Sequence, residues 1–444
     1  MADYYVDSTA ANDAGTGVIG DPFKYIYTHA NDLAPGDTMY LRGGVVAQAY
    51  VEPEILINAA NGTDGNPITI TPYMAELIVL QPDAHTDPII YLYEVDWWVL
   101  DGLTIDKQDV WGYGINLRGA DHNVLINLEI YDSAVDGIHF HSGDYNTIDT
   151  CVIHDIGSNT EEGTGVMITG GNGNTVQNCT IYDCMGDCIH LYELHLAISD
   201  TLIDNNLLYT TLGDLSENAV DVKRGNPTIT NNVMHGFRFC PGTGGASGSA
   251  GSAVVVHRLA DGAAVSFNEI YDSVFGIWLT NSANNTTIMR NLIHDLFDDP
   301  AGWGQYGILM SGTVTNVQIL QNTLANIPVT SIAIGASVTD LDVRNNLFYD
   351  TADVEVDGAP DYTADYNGWF TVDSRLVGAN DTLGADPDFV DEVDFELEIT
   401  SDAIDAGVDI GLPFYGTAPD LGYWELWGDP PPTPPAVATG VMVG

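Results

Sequence analysis

The chain has 444 residues, 45% of them hydrophobic, which is ample for a core and suits either two or three average domains or one elongated β fold. Its 63 Asp and Glu against 11 Lys and Arg leave a formal net charge of −52. That excludes nucleic acid as a partner, because phosphate binding needs a basic footprint, and it argues against an anionic membrane surface. Such acidity fits a protein kept soluble by self-repulsion in salty or extracellular surroundings.

The chain opens on "MADYYVDSTAANDAG", which has neither a basic start nor an apolar segment, so no signal peptide is visible. With no run of about 18 apolar residues, no membrane span is expected. The expected location is extracellular, after loss of a leader, or on a virion. Residues 1–44 read as a cap and first strand. In "DPFKYIYTHANDLAPGD", Asp21 is placed to cap a short helix with Pro22 in its first turn. Phe23, Ile26, Ala30 and Leu33 would then face the body of the protein.

From 45 to 350 the chain repeats itself. Segments such as "NVLINLEIYDS", "NTVQNCTIYDC", "PTITNNVMHGF" and "DLDVRNNLFYD" align on Leu128, Cys151, Cys179, Asn206, Asn232, Asn268, Asn291, Asn322 and Asn346. The gaps are 23, 28, 27, 26, 36, 23, 31 and 24 residues. A period in the twenties, carried by short β-type segments without helical periodicity, is the signature of a solenoid. The fold class is therefore all-β, a parallel β-helix in which each strand pairs with its copy one coil later. Coils stack about 4.8 Å apart, so nine of them would make a rod roughly 45 Å long. The six asparagines from Asn206 to Asn346 are expected to form an internal amide ladder, with Cys151 and Cys179 as small apolar fillers of the same column. The five cysteines are odd in number and lack paired zinc spacing, which points to buried thiols with room for one disulfide.

A second strand also aligns coil by coil, as "GIHFHSG", "GVMITGG", "CIHLYEL", "AVDVKRG", "AVVVHRL" and "GIWLTNS". Alternation sends the apolar residues inward. The outward set includes His139, His141, His190, Tyr192, Asp221, Lys223, His257, Trp278 and Thr280. Arg224 and Arg258 follow at what reads as the same level of adjacent coils. Scarce cations and imidazoles thus gather on one outer strip. Tyr192 and Trp278, with His139 and His141, suit a sugar chain, since aromatic faces pack on sugar rings. A Gly-rich insertion, residues 236–253, reads as a flap beside Lys223. Residues 351–428 read as C-terminal coils and a closing β cap, and 429–444 as a Pro-rich tail.

The Asn-rich coils, "APGDTMYLRGG" and "NPITI" resemble right-handed parallel β-helix polysaccharide lyases. "ENAVDVKRG" followed by "AVVVHRLADG" is similar to the catalytic region of the alginate lyase and chondroitinase B family, polysaccharide lyase family 6, and more distantly to pectate lyases. The resemblance implies β-elimination on an acidic, uronic acid polysaccharide. Lys223 would match the base that takes the C5 proton, and Arg258 the residue that assists the leaving oxygen. It also implies calcium, with Glu217 matching the acidic stretch that supplies ligands. Asp187, Asp214 and Asp221 offer further oxygens nearby in sequence. This chain departs from the pattern in three ways. The Lys-to-Arg interval is longer, the family's glutamate pair is reduced to Glu217, and His257 rather than Arg258 falls opposite Lys223. Arg224 would help lower the Lys223 pKa, and His190 or His257 is an alternative base.

Two other functions fit the same strip. A glycoside hydrolase would need two carboxylates in acid and base roles, for which Asp136, Asp187 and Asp221 are candidates. A non-catalytic viral or adhesin rod would only bind glycans. An epimerase acting at C5 is a close variant of the lyase. The flat faces of such a solenoid permit a monomer or a homotrimer.

Overall fold

The structure, a computed structural model, describes residues 1–83, 88–158, 162–192, 196–211, 213, 215–238, 240, 251–297, 304–352, 354–370, 375–384, 386–391 and 395–426. Two of the sequence features fall largely or wholly outside them: the core of the Gly-rich insertion (241–250) and the Pro-rich tail. The described residues form two compact units, one up to Leu202 and one from Ile203 onward.

Each unit is built from coils of three short strands, and each strand pairs in parallel with its copy in the following coil. In the first unit one sheet contains Thr38–Leu41, Ile68–Pro72, Trp98–Asp101, Val124–Ile126 and Thr147–Asp149. A second contains Ile78–Pro82, Thr104–Asp106, Glu129–Tyr131, Val152–Ile156 and Thr180–Cys184. The third contains Ile55–Ile57, Ile90–Tyr93, Ile115–Arg118, Ile138–Ser142, Val166–Ile168 and Ile189–Leu191. The second unit repeats the plan. Its third sheet runs through Asn218–Gly225, Ser252–Ala260, Phe275–Thr280, Tyr306–Ser311, Thr330–Ile334 and Val354–Val356. This is the parallel β-helix that the repeat predicts.

Strict alternation fills the interior. Ile138, Phe140, Val220, Val222, Val254, Val256, Ile277 and Leu279 are all fully buried. At the corner between the first two sheets one residue per coil turns left-handed, as at Asn127 (φ 55°), Asn178 (φ 55°), Asn231 (φ 57°) and Asn345 (φ 59°). Asn tolerates that conformation better than other side chains. The turn does not break the ladder, since the Asn127 N–H still reaches the Asp149 carbonyl of the next coil at 3.1 Å.

The amide ladder of the second unit is present and longer than expected. Asn206, Asn232, Asn268, Asn291, Asn322, Asn346 and Asn367 form one column, each Nδ2 donating to the next Oδ1 at 2.9–3.1 Å. Each Oδ1 also accepts the preceding backbone N–H, as from Asn268 to Asn291 at 3.0 Å. The column ends on Asp381, which accepts the Asn367 N–H at 2.9 Å. Cys151 and Cys179 occupy the matching corner of the first unit, buried as expected. They are more than fillers, because the Cys179 Sγ donates to the Gln177 carbonyl at 3.0 Å. The first unit has its own shorter ladder at a different corner, through Asn123, Asn146 and Asn174. All five cysteines are buried as thiols.

The caps differ from expectation. The short helix spans Ile26–His29, with Tyr25 at its N-cap and no side-chain cap bond there. Asp21 instead accepts from Thr16, which leaves Pro22 before the helix rather than in it. The helix N–H groups of Ile26 and Tyr27 are met by the buried Glu52 carboxylate, at 3.1 and 3.4 Å. Ile26, Ala30 and Leu33 are buried as expected, while Phe23 is half-buried and stacks on His29 at 3.6 Å. At the other end, coil pairing continues through Gly368–Trp369 to Thr382–Leu383. Beyond it, among the described residues, the expected β cap is mostly turns, with an antiparallel bridge between Phe389 and Leu397. Phe395, Leu397, Ala403 and Leu421 bury their side chains there.

Candidate active site

In the third sheet of the second unit, Asn218–Gly225 lies beside Ser252–Ala260. Val220, Asp221 and Val222 pair with Val254, Val255 and Val256, but Arg224 pairs with Leu259. Two residues, His257 and Arg258, therefore oppose the single Lys223. This is a β-bulge, a device that re-aims side chains and is common beside active sites. Arg258 takes the left-handed conformation, φ 60°, that the extra residue requires. The expectation that Arg224 and Arg258 lie at one level is thereby corrected: the bulge displaces Arg258 by a residue. His257 and Arg258 both stand opposite Lys223 in the strand register.

Asp221 organises the group. It is 5% exposed, and its Oδ2 lies 3.2 Å from the Lys223 Nζ. Its Oδ1 lies 2.7 Å from the His257 Nε2. One carboxylate thus fixes an ammonium and an imidazole. In the next coil, Trp278 lies beside Val255 and Thr280 beside His257. The Trp278 indole donates to the Ser311 hydroxyl at 2.9 Å, which in turn lies 3.0 Å from the Thr280 hydroxyl. Trp278 also meets Phe275 edge-on at 5.8 Å and is half-buried. Glu217, just before the Lys223 strand, is 4% exposed. Asp214 lies outside the described residues.

The first-unit candidates form their own clusters. His139 Nδ1 lies 2.8 Å from Asp136, and its ring is 6.0 Å from that of His141. Burial, followed by the charges of His139 and Arg118, pushes the His141 pKa down. His190 is 3% exposed rather than open on the strip, with its Nδ1 2.9 Å from the buried Asp187. Tyr192 stands edge-on to it at 5.1 Å. The three hydrolase candidates, Asp136, Asp187 and Asp221, are each engaged by an imidazole.

The sequence reading missed the serine and threonine hydroxyls around Trp278. It also missed the earlier strands of the first unit's third sheet, "IIYLY" and "GINLR". Those carry the same apolar alternation, and they place Tyr91, Tyr93 and Arg118 on the outer face.

Residues 4–227 match the family described as Pel9A-like, right handed beta helix region, and residues 199–348 match the right handed beta helix region. Among solved structures the chain is similar to the pectate lyase Pel9A, at 18% identity and TM-score 0.51, covering 96% of each chain. It is similar to the mannuronan C-5 epimerase AlgE6 A-module of Azotobacter vinelandii, at 14% identity and TM-score 0.50, covering 78% of this chain and 91% of that one. It is also similar to the PL6 family polysaccharide lyase Pedsa3628 from Pseudopedobacter saltans, at 13% identity and TM-score 0.47, covering 90% and 97%. At these identities the shared property is the fold. No curated protein is a significant match.

Proposed function

The chain belongs to the Pel9A-like, right-handed β-helix family, and from that premise we propose that it is a polysaccharide lyase cleaving a uronic acid polymer by β-elimination. The observation that carries this reading is the bulge that sets Lys223 against His257 and Arg258, with Asp221 held between amine and imidazole. β-Elimination needs a base at C5, positive charge near the sugar carboxylate and a group at the leaving oxygen. In this proposal the Lys223 amine takes the C5 proton. The C4–C5 double bond forms as the C4–O4 bond breaks, and the departing oxygen receives a proton with the help of Arg258 or His257. Asp221 positions both nitrogen bases. Trp278 supplies an apolar face for a neighbouring sugar ring. Tyr192, His139 and His141 belong to the sugar-binding part of the proposal, and His190 stays in it only as an alternative base.

Calcium belongs to the same proposal. Glu217 and Asp221 are buried carboxylates at the start and in the middle of this stretch of chain. Their hard oxygens are the donors that calcium takes. The ion would supply charge against the sugar carboxylate, making the C5 proton more acidic.

The test is a panel of uronic acid polymers followed by the ultraviolet absorbance of the unsaturated product, with and without a calcium chelator. Lys223→Ala is expected to lower turnover by roughly 10³-fold or more. Normal activity in that variant ends the assignment, and reducing ends without an unsaturated product would identify a hydrolase instead.

A further inference from the structure

The third sheet of the first unit carries a bulge of its own. Ile115, Asn116 and Leu117 pair with Ile138, His139 and Phe140, but Arg118 pairs with Ser142. His141 is the extra residue, and it lies beside Arg118. On the other side Arg118 pairs with Tyr93. Leu92, Leu117 and Phe140 are fully buried, so the alternate residues Tyr93, Arg118 and His141 stand on the outer face. The Arg118 guanidinium lies 6.0 Å from the Tyr93 ring, which is steadied edge-on by Tyr91 at 5.7 Å. The bulge is pinned by Thr169, whose hydroxyl lies 3.1 Å from the His141 carbonyl and 3.5 Å from its Nδ1.

Charge makes Arg118 unusual. Arg42, Arg238, Arg290 and Arg344 each sit within ion-pair distance of a carboxylate. Arg118 is exposed, and among the described residues no carboxylate comes that close to it. Glu94, next in sequence to Tyr93, is engaged by the Tyr93 hydroxyl. In a chain with 63 carboxylates, a guanidinium left outside the ion-pair network leaves its fork of donors for an anion that is not part of the protein.

We propose that Tyr93, Arg118 and His141 form a binding subsite for one carboxylate-bearing ring of an acidic sugar chain. The carboxylate lies on the guanidinium and the ring against the tyrosine. The His141 imidazole, whose pKa is pushed down by burial and then by the charges of His139 and Arg118, offers a ring nitrogen to a sugar hydroxyl. The choice of an acidic sugar over other anions rests on the lyase reading above, while the subsite itself is a matter of binding and not of turnover.

The experiment compares the wild-type chain with Arg118→Gln and Arg118→Lys. Retardation is measured in gels containing polygalacturonate, alginate or fully methyl-esterified pectin. Arg118 is exposed, so both variants are expected to fold, which thermal unfolding verifies. Arg118→Gln is expected to weaken binding of an acidic polymer about tenfold, equivalent to about 1.4 kcal/mol, while leaving the esterified polymer unaffected. Arg118→Lys is expected to fall between them. If the polymer is turned over, Arg118→Gln raises KM and leaves kcat in place. Equal retention of Arg118→Gln and wild type overturns the subsite, as does an equal loss on the esterified polymer, or no wild-type retention on either acidic polymer. Loss of binding in Arg118→Gln with no unsaturated product from the wild type supports the subsite and removes the lyase reading. Wild-type turnover that Arg118→Gln matches in KM does the reverse.

Discussion

The two units build the same three-stranded coil but satisfy the corner between their first two sheets in different ways. The second unit uses a seven-asparagine ladder. The first uses the thiols of Cys151 and Cys179 there and keeps a three-asparagine ladder at another corner. Every such turn leaves backbone groups pointing into the interior, where an unmet donor or acceptor is costly. An amide meets several of them at once and a thiol meets one weakly. The comparison teaches that the coil geometry fixes the demand for hydrogen bonds, while the side chain that answers it is open to exchange.

The largest expected effect on stability follows from that difference. Asn291 donates to the Val265 carbonyl and to Asn322, and it accepts both nitrogens of Asn268. Asn291→Ala orphans several buried groups at once and is expected to cost about 5 kcal/mol, read from denaturant unfolding. Each unit also buries a carboxyl near one end of the chain. Burial raises Glu52 to about 7, and burial followed by the Asp420 charge raises Glu425 to about 7, from a usual 4.5. The folded state therefore binds more protons than the unfolded state between 4.5 and 7. The stability from these groups is fully present below 4.5 and lost as pH rises through 7. Glu52→Gln is expected to flatten that slope by about 3 kcal/mol across the window, measured by thermal unfolding against pH. An unchanged slope would mean that Glu52 is solvated. Cys179→Ala is expected to cost the least, about 1 kcal/mol, since a thiol is a weak donor. A loss as large as that of Asn291→Ala would erase the distinction between the two corners.

Much of this was legible in the sequence, for physical reasons. The ladder of the second unit shows because one residue type recurs at one place in each coil, and stacking puts like above like. The three-asparagine ladder carries the same signal in "HNVLI", "YNTID" and "GNTVQ", one residue before each strand, but it lies in a different column from the aligned one. The inward set of the third sheet followed from alternation alone. The bulges did not. A one-residue slip leaves no mark on composition, and it decides whether Lys223 faces one residue or two. The helix start at Ile26 was hidden too, because its cap comes from Glu52, a residue 26 positions later.

The ladder of the second unit also has a direction. Every side-chain amide before Asn367 donates to the next asparagine along the chain, and the last backbone N–H of the row meets the acceptor-only carboxylate of Asp381. Such a row is open to duplication along its length, since an inserted coil would find a donor behind it and an acceptor ahead. It is closed at Asp381, where a further asparagine would have nothing to receive. The point at which the repeat ceases is thus written in the polarity of one hydrogen-bonded file.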